Sequence, residues 1–309
     1  MKYTPDNTRA IIKKDLGITS ITQVTIVSNM AILDQIKTKF VNKRFLKLEL
    51  LVLGILSVIA CILYIYDVPP VMAQDAAAAL PDVLMPQSGQ RVLVFSPHPD
   101  DESIGVGGYI AQSIENGANV EIVLVTNGDF HGNELERYAE FKAATHILGV
   151  PESNLVFLGF PDGKLDEMDP TVLAVALQSQ IEQFNPNIII YPDVQDANPD
   201  HSTIGKAVQK ILAADPEQIT SYEYLVHFKL IWPRPRELAP NLDLSPPEQL
   251  INADTTWEKV PLSQNIENIK SQAIHTYHSQ LENEWLHGLL LSSIRKNELL
   301  ASPKNLYTQ

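Results

Sequence analysis

The chain has 309 residues, of which 45% are hydrophobic and 19% are charged, as in ordinary globular proteins. Its net charge is −14, but nine of the 23 Lys and Arg residues lie before residue 48, which leaves a net charge of −20 on residues 48–309. A body this acidic lacks the basic face that phosphates need, which argues against a nucleic-acid substrate. Because Cys61 is the single cysteine, an intramolecular disulfide bond is excluded.

The N-terminal part of the chain is predicted to contain one membrane-spanning helix. A run of seventeen uncharged residues extends from Leu50 to Tyr66, after a basic N-terminal segment at 1–47. At about 1.5 Å rise per residue, such a run just crosses a hydrocarbon core. We predict a transmembrane helix at 48–67 and a Pro- and Ala-rich linker at 68–90. The basic flank keeps residues 1–47 in the cytoplasm by the positive-inside rule, so the acidic body is extracytoplasmic.

Two alternatives to this anchor remain open. In the first, the apolar run is a buried core helix, although it lacks an amphipathic stripe. In the second, it is part of a signal sequence that is cleaved near Ala73, which gives a secreted protein. A 47-residue leader is far longer than that of an ordinary signal peptide, so we favour an uncleaved, single-pass anchor.

From Arg91 onward, apolar strands alternate with helical patterns. Strands are predicted at 91–96, 119–126, 155–158, 187–191 and 222–231, and helices at 104–116, 134–148, 170–185 and 204–214. This alternation predicts that residues 91–309 form one α/β, Rossmann-like domain, with a mainly parallel sheet and helices on both faces. Ligands of such sheets bind beyond the carboxyl ends of the strands.

The first strand leads directly into a crowded group of ionisable residues. His98, Asp100, Asp101 and Glu102 follow an apolar run within five positions, and burying them together is costly unless they bind a cation. We predict that His98 and Asp101 bind one divalent metal ion, with His201 from the loop after the fourth strand as the third ligand. This ligand set suits Zn²⁺, while Fe²⁺ or another divalent metal is also compatible.

Asp100 lies between two predicted ligands and is better placed as a base than as a ligand. We predict that it takes a proton from a metal-bound water, which then attacks a carbonyl group. Asp200 is predicted to orient a neighbouring group or His201. His227 lies on the predicted fifth strand, which could direct it to the same edge, and Asp129 either contacts the substrate or caps its turn.

The chain resembles the PIG-L/LmbE-like family of metal-dependent N-deacetylases over roughly residues 90–300. The resemblance rests on these motifs: Pro97–Glu102, Thr126–Asp129, Arg137 and Glu140 with Leu148–Gly149, Phe157–Gly163, Asn198–His201, Lys270 and Ala273 with Tyr277 and Gln280, and Arg295–Glu298. It implies a zinc-dependent N-deacetylase, a hydrolase of a linear amide bond, that acts on an N-acetylglucosamine-type sugar or glycolipid.

The resemblance also implies roles for single residues. His98, Asp101 and His201 would bind zinc, Asp100 would be the general base, and Arg137 and Asp162 would contact the substrate.

One position departs from the family pattern. Many members have a His where this chain has Asn198, and the amide of Asn198 can donate a hydrogen bond to an oxyanion but cannot donate a proton at neutral pH. The acid must then be protonated Asp100 or another group such as His227. The departure leaves two alternatives open: a non-catalytic glycan-binding or scaffold protein that retains the fold, and an amidohydrolase that acts on another acetylated amine.

Overall fold

The computed structural model describes residues 43, 45–62, 64, 68–214, 219–229, 231–252 and 254–303, and the chain divides into two compact units, 1–65 and 66–309. The described part of the first unit is helix α1 (Phe45–Ile62). This helix has a mean hydropathy of 2.4, and none of it is buried in the protein. It is therefore long and apolar enough to cross a membrane. Nearly all of the predicted basic segment, 1–47, lies outside the described residues.

The described part of the second unit contains a seven-stranded sheet with the order β3-β2-β1-β4-β5-β7-β6. The first five strands pair in parallel, whereas β7 is antiparallel to both β5 and β6. Chain order reverses at β1, whose two neighbours are β2 and β4, and this is the switch point where such sheets bind ligands. The strands are β1 (Arg91–Ser96), β2 (Asn119–Thr126), β3 (Leu155–Phe160), β4 (Ile188–Pro192), β5 (Thr220–Tyr224), β6 (Thr255–Pro261) and β7 (Asn297–Pro303).

Helices cover both faces of this sheet, as the sequence predicted. Alternate residues of β1 point to opposite faces, so Val92 and Val94 join a core with α3, α4 and α7, while Leu93 and Phe95 join a second core with α5 and α6. The α/β fold is therefore confirmed. The helices are α2 (Gln74–Ala78), α3 (Asp101–Glu115), α4 (Glu134–Ile147), α5 (Pro170–Phe184), α6 (Pro199–Ala214), α7 (Gln264–Ile274), α8 (His278–Leu281) and α9 (Glu284–Ser292).

The predicted fifth strand differs most from the structure. β5 ends at Tyr224, and the chain then turns, with Lys229 at a φ of 54°. The apolar pattern continues beyond β5 because Leu225 and Val226 are buried loop residues, with 5% and 1% of their surface exposed. His227 consequently lies on a loop and not within a strand.

The predicted linker, 68–90, contacts the domain along much of its length. Its Ala run forms α2, in which Ala77 is fully buried. Val83 also donates its backbone N–H to the carbonyl of Lys259. These residues belong to the same compact unit as the sheet, because their apolar side chains add to its core.

Candidate active site

The loops that follow the parallel strands bring the predicted ligands together at the carboxyl edge of the sheet. His98 lies in the loop after β1, Asp101 begins α3, and His201 lies in the first turn of α6, which follows β4. All three side chains are buried. Predicted ligands that are about a hundred residues apart in sequence thus meet because β1 and β4 are neighbours in the sheet.

Three donor atoms of these side chains form a nearly equilateral triangle. Nδ1 of His98 lies 3.1 Å from Oδ2 of Asp101 and 3.2 Å from Nε2 of His201, and the last two atoms are 3.0 Å apart. In a tetrahedral zinc site with bonds of about 2.0–2.1 Å, donor atoms lie about 3.3 Å apart. The three residues therefore fit a small divalent cation, and together they form one of the His and Asp groups with metal-binding geometry in the described part of the chain.

A carboxylate lies close to the other nitrogen of each imidazole. Nε2 of His98 lies 3.0 Å from Asp200 and 3.1 Å from Asp162, and Nδ1 of His201 lies 3.3 Å from Asp196. A carboxylate in this position fixes the tautomer and the orientation of a metal-binding imidazole. Asp200 therefore contacts His98 and not His201, which was one of its predicted partners.

Asp196 was assigned no role from the sequence, although it lies in the same acidic loop as Asn198 and Asp200. Its carboxylate accepts hydrogen bonds from the backbone N–H groups of Val226 and His227, and it contacts the rings of His201 and His227. The sequence offered only weak evidence for a role of Asp196, because only the fold shows that its carboxylate reaches the loop after β5.

The surrounding carboxylates favour positive charge at the triangle of donor atoms. Burial alone lowers the pKa of His201, but Asp101 and Asp196 outweigh it and raise that pKa to about 9. Burial likewise raises the pKa of Asp101, but the His201 and His98 imidazoles hold it well below its ordinary value. A pocket whose carboxylates stabilise a protonated imidazole also stabilises a metal cation in place of that proton.

Asp100 is close to the donor triangle but does not contribute to it. Its backbone has a φ of 123°, which is unusual for a residue with a side chain, and Glu102 accepts its N–H. Burial raises the pKa of Asp100 well above its ordinary value, although Arg137, 3.5 Å away, opposes this shift. A carboxyl group with a raised pKa is a stronger base once it is ionised, which suits proton transfer.

A cavity of about 410 Å³ opens next to these residues. Its walls include His98, Asp100, Asp101, Arg137, Asp162, Asn198 and His227, and also apolar side chains from Ile104, Phe130, Leu286 and Leu289. The apolar wall was not predicted, because Leu286 and Leu289 belong to α9 and reach the cavity only through the fold.

Arg137 and Asp162, the predicted substrate contacts, also contact each other. The Nη1 atom of Arg137 lies 3.3 Å from Asp162 and 3.1 Å from the carbonyl oxygen of Gly128, and its Nη2 atom donates to the carbonyl of Pro99. Both residues line the cavity, so a substrate could reach them. Their substrate role stays a prediction.

The remaining predicted residues occupy different surroundings. Asn198 lines the cavity, and its side-chain oxygen accepts the N–H of Asp200 at the start of α6. His227 lines the cavity from its loop. Asp129 is exposed and accepts the N–H of Glu134, so the structure places it in a capping position.

Comparison with known proteins gives a consistent result. Residues 93–212 match the sequence profile of the family described as "GlcNAc-PI de-N-acetylase" (PIG-L). A probable N-acetyl-alpha-D-glucosaminyl L-malate deacetylase 2 of Bacillus anthracis is 33% identical over 153 residues, which cover 45% of this chain and 66% of that protein. A diacetylchitobiose deacetylase of Thermococcus kodakarensis is 31% identical over 131 residues, which cover 38% and 46%.

A solved structure has a similar fold. The N,N'-diacetylchitobiose deacetylase from Pyrococcus horikoshii superposes with a TM-score of 0.51 at 19% identity, covering 70% of this chain and 84% of that one. The chain spans less than two thirds of the length of each of the two curated relatives named above, 66% of one and 46% of the other. Residues 93–212 nevertheless form a PIG-L family domain, and this domain includes His98, Asp101 and His201.

Proposed function

We propose that this protein is a metal-dependent hydrolase that removes the acetyl group from an N-acetylglucosamine unit of a glycoconjugate. The observation that carries this proposal is the triangle of donor atoms from His98, Asp101 and His201, with Asp100 beside it in an open cavity. The names of the relatives support a deacetylase of N-acetylglucosamine compounds. The cavity also has a volume within the range of about 300–1,000 Å³ that is usual for small-molecule sites.

His98, Asp101 and His201 would hold the metal ion, with Asp200 and Asp196 orienting the two imidazoles. Zinc suits this donor set, and Fe²⁺ accepts the same two imidazoles and one carboxylate. A divalent cation there supplies Lewis acidity, which polarises a carbonyl group and makes a water molecule more acidic.

The side chains around the cavity supply the proton transfers. Asp100 removes a proton from the attacking water, which adds to the carbonyl carbon of the acetyl group. The Asn198 side-chain oxygen already accepts a hydrogen bond from Asp200, so its NH₂ group is the part that donates to the oxyanion. As the C–N bond breaks and acetate forms, Asp100 returns its proton to the leaving amine, or His227, which also lines the cavity, donates one.

These two acids can be distinguished by substitution. If Asp100 acts alone as base and acid, His227→Gln should keep most of the activity, because glutamine retains a hydrogen-bonding group toward Asp196. If His227 is the acid, the same change should lower kcat by about 10²-fold or more. Phe228→Leu, next to His227 but absent from the cavity wall, is the matched control.

A non-catalytic, glycan-binding protein with the same fold is the second candidate, and Asn198 is the observation that favours it. Replacing Asn198 with His restores the residue that many relatives have at this position. If only Asn198→His hydrolyses N-acetyl sugars, the natural chain is a binding protein, whereas turnover by the natural chain excludes this candidate.

The central test measures metal content and acetate release with the full-length chain, purified in detergent. We expect about one equivalent of zinc or iron and release of acetate from N-acetylglucosamine compounds, both abolished in His201→Ala. A panel of other acetylated amines tests whether the substrate is a sugar. A protein that binds no metal, or that binds metal and hydrolyses no acetylated amine, would contradict the proposal.

We further propose that α1 anchors the domain to a membrane and that residues 91–309 lie outside the cytoplasm. The length and hydropathy of α1 support an anchor, and they are equally compatible with a signal sequence. Attachment to a membrane would suit a lipid-linked or envelope glycan as the substrate.

A further inference from the structure

Helix α3, which carries the metal-binding Asp101, is interrupted one turn after its start. Val106 has φ and ψ angles of −142° and 18°, which are not helical, so the helix consists of a short first segment, Asp101–Gly105, and a longer second one. Such an interruption weakens the regular backbone hydrogen bonds on both sides of it. The backbone groups near Val106 therefore need other partners, since this region is buried.

Two charged side chains from the C-terminal part of the chain supply these partners. Glu298, on β7, accepts the backbone N–H groups of Gly108 and Tyr109 at 2.6 and 2.8 Å. Lys270, on α7, donates to the carbonyl oxygen of Ile104 at 2.9 Å. The carboxylate thus caps the start of the second segment, and the ammonium group caps the end of the first.

Lys270 and Glu298 also pair with each other, at 2.7 Å, and neither side chain has exposed surface beyond 1%. Burying two charges is costly, and an apolar pair of similar volume often stabilises a core better. This pair therefore calls for an explanation beyond packing. Its hydrogen bonds to backbone groups on the two sides of Val106 provide one, because no apolar pair could satisfy those groups.

The first segment also packs against an aromatic ring. A Cβ atom on Gly105 would lie only 2.4 Å from the ring of Tyr224, so the backbone of this segment packs directly on that ring. The hydroxyl group of Tyr224 in turn donates to the carbonyl of Phe95 on β1. The segment is thus fixed between the central strands and the pair of Lys270 and Glu298.

The geometry points to Lys270 and Glu298 as positioning residues for the metal centre. They hold the first segment of α3 at the orientation in which Oδ2 of Asp101 lies within 3.1 Å of both imidazole nitrogens. This inference rests on the proposed metal-dependent function. Neither residue lines the cavity, so we infer that they act on the metal centre through the segment that carries Asp101.

The test compares zinc affinity in variants of the full-length chain, purified in detergent and stripped of metal. Glu298→Asp keeps the charge but shortens the side chain, which draws the carboxylate away from the N–H groups of Gly108 and Tyr109. The double variant Lys270→Met/Glu298→Gln removes both charges together. The control is Leu177→Ala, in the core on the other face of the sheet, which loses stability without touching α3.

We expect the zinc dissociation constant, measured by competition with a chromogenic chelator, to rise about tenfold or more in both variants. Leu177→Ala should stay within about twofold of the unaltered chain, although its Tm falls. If the double variant does not fold, the zinc dissociation constant of Glu298→Asp alone tests the inference. A zinc dissociation constant in Glu298→Asp within about twofold of the unaltered chain would overturn the inference and leave the pair a purely structural role.

A second measurement separates this inference from the proposed function. In the metal-free protein, Glu298→Asp should speed hydrogen exchange of the Ser103 and Ile104 amides more than that of the β1 amides, whereas Leu177→Ala should affect both sets alike through its lower stability. Zinc binding that is absent even from the unaltered chain would refute the metal centre, and the exchange rates would then still show whether the pair orders this segment. Unchanged exchange in Glu298→Asp would contradict the positioning role.

Discussion

Asp100 differs from the other carboxylates of the cavity in its backbone and in its neighbours. Its φ of 123° is held by the hydrogen bond from its own N–H to Glu102, which in turn accepts the hydroxyl group of Tyr277. Strain of this kind is found where a side chain must be held at a fixed place. Buried hydrogen bonds therefore orient Asp100, although this residue is not one of the proposed metal ligands.

Asp100→Asn should abolish most catalysis without loss of metal. Asparagine keeps the shape and tolerates a positive φ, but it cannot accept a proton from water. We expect kcat to fall by about 10²- to 10⁴-fold, while the zinc content measured by atomic absorption stays near one equivalent. Asp101→Asn is the matched comparison, since it should lose zinc as well as activity. Full activity in Asp100→Asn would refute the assignment of the base.

A second prediction concerns Glu223, a buried residue of β5 that lies outside the cavity wall. Burial, together with the nearby Asp193, raises the pKa of Glu223 from 4.5 to about 8. The unfolded chain releases this proton near pH 4.5 while the folded chain keeps it until about pH 8, so rising pH between these values favours unfolding. The loss approaches about 4 kcal/mol at the upper end of this range.

Glu223→Gln removes this proton and keeps the oxygen that accepts the Gln209 side-chain amide. The free energy of unfolding, from urea titrations, should therefore exceed that of the unaltered chain by a few kcal/mol at about pH 8.5 and differ little at about pH 4.5. The exposed Glu248→Gln should have little effect at either pH. An equal gain at both pH values would show that the proton on Glu223 is not the cause.

At the scale of single elements, α6 is the helix on which the site depends most. Its first turn supplies His201 and Asp200. It also packs so closely on the end of β4 that position 205 has no space for a side chain larger than the hydrogen atom of glycine. A Cβ atom there would lie 2.4 Å from the carbonyl oxygen of Pro192. Close packing of this helix on the strand end thus sets the position of His201, a proposed metal ligand.

Gly205→Ala should accordingly push α6 away from β4. Because the contact is with backbone, which cannot turn aside, we expect a loss of about 1–3 kcal/mol in the free energy of unfolding and weaker zinc binding. Gly54→Ala, in helix α1, is the control, since its Cβ would meet no atom within 4 Å. Both quantities are measurable by urea unfolding and chelator competition. A fully stable Gly205→Ala variant with unaltered zinc affinity would contradict this account.

At the scale of the whole molecule, the charges flanking α1 predict the topology. A basic segment of net charge +6 precedes the apolar run, and an acidic body follows it. Alkaline phosphatase fused after Gln309 should therefore be active, because it folds only outside the cytoplasm. Inverting the charges before α1 should reduce that activity, and an inactive fusion of the unaltered chain would refute the proposed orientation.

The sequence by itself determined the α/β class and pointed to the polar residues at the centre of the site, but not to Asp196 or the apolar wall. Strand periodicity in 91–96 and 119–126 reflects burial on both faces of the sheet, which is a local property of the chain. The donors His98 and Asp101 are three residues apart, so their proximity is also local. The antiparallel strands β6 and β7 were not predicted, since their pairing joins residues far apart in the chain.

Only the tertiary structure decided which distant side chains meet. It brought His201 to within 3.0 Å of Asp101, paired Asp200 with His98 and Asp196 with His201, and placed α9 along the cavity. Such contacts follow from strand order and helix packing, which no short segment encodes. The sequence therefore specified the chemistry available at the sheet edge, while the fold specified the geometry in which that chemistry can operate.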